Sequence, residues 1–249
     1  MKLLLIDNSN TRTKFALSEQ EGRFSETFWI PTSEICENTL THALHGIEFD
    51  ASLICSVVPL KRKVLEDYLN QHGPVHALSC QSPLGLGIDY PEPDKIGADR
   101  LANAVGVTDR HGAPAIVIDF GTAVTFDVIS ATPAYAGGVI APGLGAMGEY
   151  LGRRTALLPQ IELIEPPSAI GKSTQAAMQV GAVIGYRGLV REILSALRHE
   201  MDGKVQAVAT GGDASLIARG VTEIDAVDPD LTLHGLERVA RRVFAIDGG

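Results

Sequence analysis

Leu3-Leu4-Leu5-Ile6-Asp7-Asn8-Ser9-Asn10-Thr11-Arg12-Thr13-Lys14-Phe15-Ala16-Leu17 opens the chain, and Ala115-Ile116-Val117-Ile118-Asp119-Phe120-Gly121-Thr122-Ala123-Val124-Thr125-Phe126-Asp127-Val128-Ile129 repeats its design. In each, an apolar run ends on an aspartate, passes through small hydroxyl or amide residues, and resumes as a second apolar run. Such a pattern predicts two β-strands joined by a tight turn. Aligned without a gap, Asp7 matches Asp119, Ser9 matches Gly121 and Thr13 matches Thr125. A turn of small residues exposes backbone N–H groups to phosphate oxygens, and the carboxylate at its edge can hold a cation. Two such hairpins facing a common cleft would suit a nucleotide and its metal.

The bulk properties narrow the field around that pattern. A chain of 249 residues with 45% hydrophobic residues can build a large core, and the repeat favours two lobes of similar size. A net charge of −9 and a pI near 5.2 argue against general binding to nucleic acid or to an anionic membrane. An anionic substrate must therefore be met by a few placed cations rather than by a global field. Cys36, Cys55 and Cys80 are odd in number and lack CxxC spacing, so they read as structural or incidental thiols, which suits a reducing cytosol. Cys55, inside Leu53-Ile54-Cys55-Ser56-Val57-Val58, reads as a small core residue. The start of the chain carries no cationic leader, and no run is apolar enough to span a bilayer, so a cytoplasmic, soluble protein is expected.

Along the first half, a third strand is expected near Arg23 to Ile30, a helix from Ser33 to about Leu44, a strand from Ala51 to Val58, and a helix from Lys61 to Gln71. The segment from Ser79 to Lys95, broken by Pro83, Gly85, Gly87, Pro91 and Pro93, reads as loop. A helix from Asp99 to about Arg110 precedes the break His111-Gly112-Ala113-Pro114, which we take as the hinge. This divides the chain into an N-terminal lobe, 1–113, and a C-terminal lobe, 114–249. In the second, helices are expected at about Gly145 to Arg154, Ser173 to Val180 and Tyr186 to His199. A strand from Val205 to Thr210 enters Gly211-Gly212-Asp213. A last helix carries Leu233, Leu236, Val239, Ala240 and Val243, with Arg238, Arg241 and Arg242 as a solvated face. Strands alternating with helices in two related halves indicate an α/β fold.

Landmarks spread over most of the length make the chain resemble the type III pantothenate kinases, of the superfamily that joins acetate and sugar kinases, Hsp70 and actin. They are Asp7-x-x-Asn10-Thr11-x-x-Lys14, Gly97-Ala98-Asp99-Arg100, Asp119-x-Gly121-Thr122-Ala123, Gly137-Gly138-x-Ile140-x-Pro142-Gly143, and Thr174 within Gly171-Lys172-Ser173-Thr174. The resemblance implies two actin-like (ribonuclease H-like) lobes, each a mixed β-sheet flanked by helices, around a central cleft. It implies phosphorylation of pantothenate by ATP, the entry step to coenzyme A, in a homodimer whose subunits both contact substrate.

By the same resemblance, Asp7, Asn8, Ser9, Asn10, Thr11, Arg12, Thr13 and Lys14 form the first ATP loop, with Asp7 holding Mg²⁺ through water. Asp99 is the general base toward the primary hydroxyl of pantothenate. Arg100, a planar fork suited to a carboxylate, joins Tyr90, Gly97, Ala98 and Thr174 in substrate binding. Asp119 holds a monovalent cation, K⁺ or NH₄⁺, and Thr122 meets ATP; the Gly211-Gly212 turn lies near the adenosine. The family usually has glycine where Ser9 stands, so a loop that needed positive φ there would be reshaped. The histidines, among them His72, His76, His111 and His199, show no zinc-ligand spacing. Two rival functions remain open: another small-molecule kinase of the superfamily, and a nucleotide-binding regulatory protein without turnover.

Overall fold

The computed structural model describes residues 1–201 and 203–245. The chain forms two compact units, one of residues 1–112 with the C-terminal segment from Asp230, the other of residues 113–229. In the first, β1 (Leu3–Asn8), β2 (Arg12–Gln20), β3 (Arg23–Pro31), β4 (Ala51–Ser56) and β5 (Val75–Ala77) make a sheet in the order β3-β2-β1-β4-β5. β1 pairs antiparallel with β2 and parallel with β4, so the sheet is mixed. β1 is apolar at every position up to Asp7 because both of its faces are covered. Leu4 and Ile6 turn to one face, against Leu40 of α1 (Glu37–Ala43) and Leu65 and Leu69 of α2 (Pro59–Leu69). Leu3 and Leu5 turn to the other, against Leu101 and Val105 of α3 (Ala98–Arg110) and Leu236 and Val239 of α7 (Leu231–Val243).

The second unit repeats the plan. β7 (Ala115–Phe120), β8 (Ala123–Ile129), β9 (Ala134–Pro142), β10 (Gln206–Gly211) and β11 (Ala226–Val227) run in the order β11-β10-β7-β8-β9. As in the first unit, the leading strand pairs antiparallel with its hairpin partner and parallel with the strand on its other side. Ile116, Ile118, Val124 and Phe126 pack against Tyr186, Val190 and Leu194 of α5 (Thr174–Glu200) and Ile217 of α6 (Ala214–Ala218). The mixed α/β architecture of each half is therefore the expected one. The remaining elements are β6 (Gly87–Ile88), α4 (Leu144–Arg154) and short 3-10 turns at Thr32–Glu34 and Pro93–Lys95. Among the described residues no helix is long and apolar enough to cross a membrane.

Several sequence expectations are corrected. The two helices expected at 173–180 and 186–199 are one, α5, because Gly181 and Gly185 sit in open space inside it. A helical glycine costs about 1 kcal/mol and does not by itself break a helix. The helix expected from Ser33 shrinks to a 3-10 turn followed by α1, which starts after Cys36. The segment read as loop includes β6 and the turn Pro93–Lys95.

The last helix, expected in the 114–249 lobe, belongs with the first unit. Its Arg238, Arg241 and Arg242 are not a solvated face either. Arg241 is buried against the buried Glu237, whose carboxylate also accepts from Ser18 Oγ at 2.5 Å and Gly22 N at 2.9 Å. Arg238 pairs with Glu21 and Asp109, and Arg242 donates to the Leu84 carbonyl. The charges that look like a helix surface in sequence are the fasteners of α7 to the β2–β3 hairpin and α3.

α3 and α7 meet at glycines. A Cβ on Gly235 would overlap the Ala102 carbonyl oxygen and stand 3.0 Å from Gly106 N, and one on Gly106 would overlap the Leu231 carbonyl. No rotamer change relieves a clash with backbone. Gly235→Ala should therefore lower stability by roughly 1–3 kcal/mol despite alanine's better helix propensity. Gly181→Ala, with nothing within 4 Å, should raise it by about 0.5–1 kcal/mol. Thermal or urea unfolding of the two variants checks the opposite signs.

Candidate active site

In β1 the side chains of Leu3, Leu5 and Asp7 share one face, so the apolar surface under α3 and α7 ends in a carboxylate. Lys14 lies directly opposite Asp7 on β2, and Cys55 opposite it on β4. Ala98, the first residue of α3, packs in the same cluster as Leu5 and the buried Cys55. The first turn of α3, with Asp99 and Arg100, is thus laid on the face of the sheet that carries Asp7 and Lys14. This is the carboxyl end of the parallel strands β1 and β4, where α/β folds bind ligands.

Asp99 stands in the first turn of α3, which starts after Gly97. Its Oδ1 accepts from the Arg100 amide at 2.8 Å. Burial pushes its carboxyl above the usual aspartate range, outweighing the lowering pull of the Arg100 amide and charge. A Cβ on Gly97 would come within 2.5 Å of Asp99 Oδ1, so glycine there leaves the carboxylate its place. Tyr90 is part-exposed on the loop before this turn.

The residues of the first turn divide by side chain. Asn8 and Thr13 are buried and already engaged. Asn8 Nδ2 donates to Thr13 Oγ1 at 2.7 Å, and Asn8 Oδ1 accepts from Ser56 Oγ at 2.6 Å. Thr32 Oγ1 donates to the Ser9 carbonyl at 2.7 Å and lies 3.0 Å from Thr13 Oγ1. Since the Thr32 proton is used on Ser9, Thr13 is the donor in that pair. These side chains hold the turn from behind. Asn10, Thr11 and Arg12 are exposed, and Ser9 Oγ donates to Asp7 Oδ1 at 3.1 Å.

Ser9 does not adopt positive φ; among described non-glycine residues only Ala245 does. Gly121, its counterpart, is likewise outside the positive-φ set, and a Cβ there would be no closer than 3.4 Å to any neighbour. Serine fits this position without reshaping the loop.

The gapless alignment of the two hairpins needs one correction. Asp7 pairs with Lys14, but Asp119 pairs with Thr125. Counted from the aspartates, the second turn is one residue shorter, and Thr125 takes the place of Lys14, not of Thr13. Burial agrees, since Thr13 and Val124 are both buried while Lys14 and Thr125 are both half-buried. The second turn therefore offers no cation of its own.

It is shaped by glycines instead. A Cβ on Gly143 would stand 2.5 Å from the Thr122 carbonyl oxygen, and the Gly143 amide donates to that oxygen at 3.1 Å. The exposed Thr122 turn thereby rests on the residue that precedes α4. Gly211, at φ +91°, faces Asp119 Oδ1, which a Cβ would approach to 2.7 Å, and the Phe120 carbonyl, to 2.5 Å. The Phe120 amide nitrogen would be as close, at 2.7 Å, so only glycine lets β10 end this near to Asp119 and Phe120. Thr174 is the exposed first residue of α5, and the cap is its neighbour, Ser173, whose hydroxyl accepts from Ala176 N at 3.1 Å.

One participant had no signal in the sequence. Lys14 Nζ is 2.8 Å from Asp230 Oδ1, the residue just ahead of α7. The pairing exists only because α7 docks beside β1 and β2.

The raised pKa of Asp99 has a consequence for stability. For an acid whose folded pKa exceeds its unfolded one, stability is full below the unfolded value, about 3.9, and is lost as pH rises through the folded value. Asp99→Asn cannot ionise and keeps an oxygen for the Arg100 amide. The variant should melt above the parent at pH 7, with the difference closing below about pH 4. Melting curves across that range check it; a variant less stable at pH 7 sinks the assignment.

Comparison with known proteins bears on all of this. The type III pantothenate kinase family profile matches residues 3–196. A type III pantothenate kinase of Akkermansia muciniphila is 57% identical over 240 residues, covering 96% of this chain and 98% of its own. One of Methylacidiphilum infernorum is 40% identical over 239 residues, covering 95% and 87%. Among solved structures, a Campylobacter jejuni protein assigned to the Baf family of transcriptional activators is 19% identical, with TM-score 0.65 over 97% of this chain and 99% of its own. A Sinorhizobium meliloti protein assigned as a 2-dehydro-3-deoxygalactonokinase is 13% identical, with TM-score 0.67 over 97% of each chain. At those identities the two structures speak for the fold alone, whereas the matches along the sequence place the chain in the type III pantothenate kinase family.

Proposed function

We propose that the chain is a cytoplasmic kinase that transfers the γ-phosphoryl group of ATP to the primary hydroxyl of pantothenate, giving 4′-phosphopantothenate and ADP at the start of coenzyme A biosynthesis. The observation that carries this reading is the single sheet face on which Asp7, Lys14 and the α3 turn of Asp99 lie, in a chain of this family.

Asp99 takes the hydroxyl proton as the oxygen bonds to phosphorus. Its raised pKa makes it a better base than an ordinary carboxylate, at the price of needing a higher pH to be ionised. Arg100, Tyr90, Gly97, Ala98 and Thr174 serve the substrate, with the Arg100 fork suited to the pantothenate carboxylate. Ser9, Asn10, Thr11 and Arg12 present donors to the phosphates, while Asn8 and Thr13 hold the turn through their buried bonds. Lys14 must exchange Asp230 for phosphate oxygen to take part. Thr122 donates to ATP from the second turn. The hard carboxylate oxygen of Asp7 fits Mg²⁺ through water, and the carboxylate of Asp119 is assigned to K⁺ or NH₄⁺. Such cations supply charge neutralisation as negative charge shifts between oxygens in a loose transition state.

Purified protein with ATP, Mg²⁺, K⁺ and pantothenate should release 4′-phosphopantothenate. Asp99→Asn should cut turnover by about 10²–10⁴-fold while ATP still binds, and exchanging K⁺ for Na⁺ should slow the parent. ATP binding without transfer would defeat the reading, and turnover of another alcohol in preference to pantothenate would transfer it to a different kinase.

We also infer a homodimer. Its support is the exposed apolar surface of α4 and the segment after it, where Met147, Tyr150, Leu151, Leu157 and Ile170 face outward. Equilibrium sedimentation should give twice the chain mass, and Tyr150→Asp should shift it toward monomer. A parent that sediments as a monomer refutes the inference.

A further inference from the structure

Trp29 is 53% exposed and belongs to neither apolar cluster of its unit. Its neighbours explain the oddity. Phe28 turns to the α1–α2 face, where it stacks on Phe15 with centroids 5.0 Å apart. Trp29 turns the other way, and its register partner on β2 is Lys14, itself the partner of Asp7. Asp7, Lys14 and Trp29 are thus three consecutive cross-strand neighbours on one face. That face is apolar where α3 and α7 cover Leu3, Leu5 and Ala16. A large aromatic left half in water at this row gains little from burial, so its value lies in what it touches.

It touches Arg12. The guanidinium carbon of Arg12 lies 4.6 Å from the centre of the Trp29 ring, within the range of a cation–π contact. Arg12 ends the first turn, and its carbonyl accepts from the Ser9 amide at 3.1 Å. An exposed arginine loses much rotamer freedom when it engages an anion. A ring that already confines the guanidinium beside the turn lowers that loss before the ligand arrives.

We propose that Trp29 is a positioning residue for the triphosphate of the nucleotide: it holds Arg12 over the outer, β3 side of the phosphate turn, so that Arg12 meets the anion preorganised. The inference rests on the kinase reading above. Trp29 itself touches no reacting atom, so its effect falls on nucleotide binding and not on the chemical step.

The chain contains one tryptophan, so its fluorescence reports on this position alone. MgATP, and inorganic tripolyphosphate as a probe without base or sugar, should each change the emission saturably as Arg12 is drawn toward phosphate. The change should vanish in Arg12→Gln. Trp29→Leu should raise KM for ATP about two- to fivefold, the span of an exposed cation–π contact, with kcat and KM for pantothenate unchanged. Trp29→Phe, which keeps a ring, should recover most of the loss. A merely structural tryptophan predicts lower melting temperatures with KM for ATP unmoved. The proposal is overturned if folded Trp29→Leu protein keeps the parent's KM, if Trp29→Phe loses as much as Trp29→Leu, or if emission ignores ATP at concentrations that calorimetry shows to be bound. Should calorimetry find no ATP binding to the parent, the kinase reading itself falls, and this inference with it.

Discussion

The docking of α3 on the inner face of the first sheet is the constraint from which the site follows. Leu101 and Val105 hold the helix against Leu5 and its neighbours, and the glycine contact of Gly106 with α7 lets two helix backbones share that face. Once α3 is seated, Ala98 lies against Cys55, and Asp99 is carried toward the end of β1 where Asp7 stands. The burial that raises the Asp99 pKa is a by-product of the same packing. A carboxylate on a free helix end would be hydrated, ordinary in acidity and a weaker base.

The two sheets use one topology for different local chemistry. In the first, the acidic turn is followed on β2 by Lys14, and the turn is braced by a buried chain of Ser56, Asn8, Thr13 and Thr32. In the second, the shorter turn has Thr125 in the lysine's place and is braced by close backbone contacts at Gly143 and Gly211. The first turn therefore has a cation on its flank. The second carries a carboxylate, Asp119, with no lysine opposite it.

Much of this was legible in the chain. The hairpins and the α3 helix follow from apolar periodicity and from aspartates placed where it stops, and the mixed sheets from the family resemblance. What failed did so for identifiable reasons. Glycines in α5 look like punctuation, yet a glycine in open helical surface only weakens the helix. Arg238, Arg241 and Arg242 look like solvent charge because Glu21, Asp109 and Glu237 cannot be seen as their partners without the docking of α7. The hairpin alignment slipped by one residue because similar side chains, Thr13 and Thr125, fall in line when turn length is ignored. Serine at position 9 raised a doubt that a backbone angle removed.

The sequence by itself determined the long strands, the acidic turns, the order of the landmarks and so the family, because these depend on residues close together along the chain. Only the tertiary structure decided which unit owns α7, that Lys14 is held by Asp230, that Asp99 is half-buried and less acidic, and that Trp29 lies under Arg12. Each of these depends on contacts between segments set side by side by packing. Local pattern constrains a residue's face and conformation; it does not name the neighbour that the folded core brings to it.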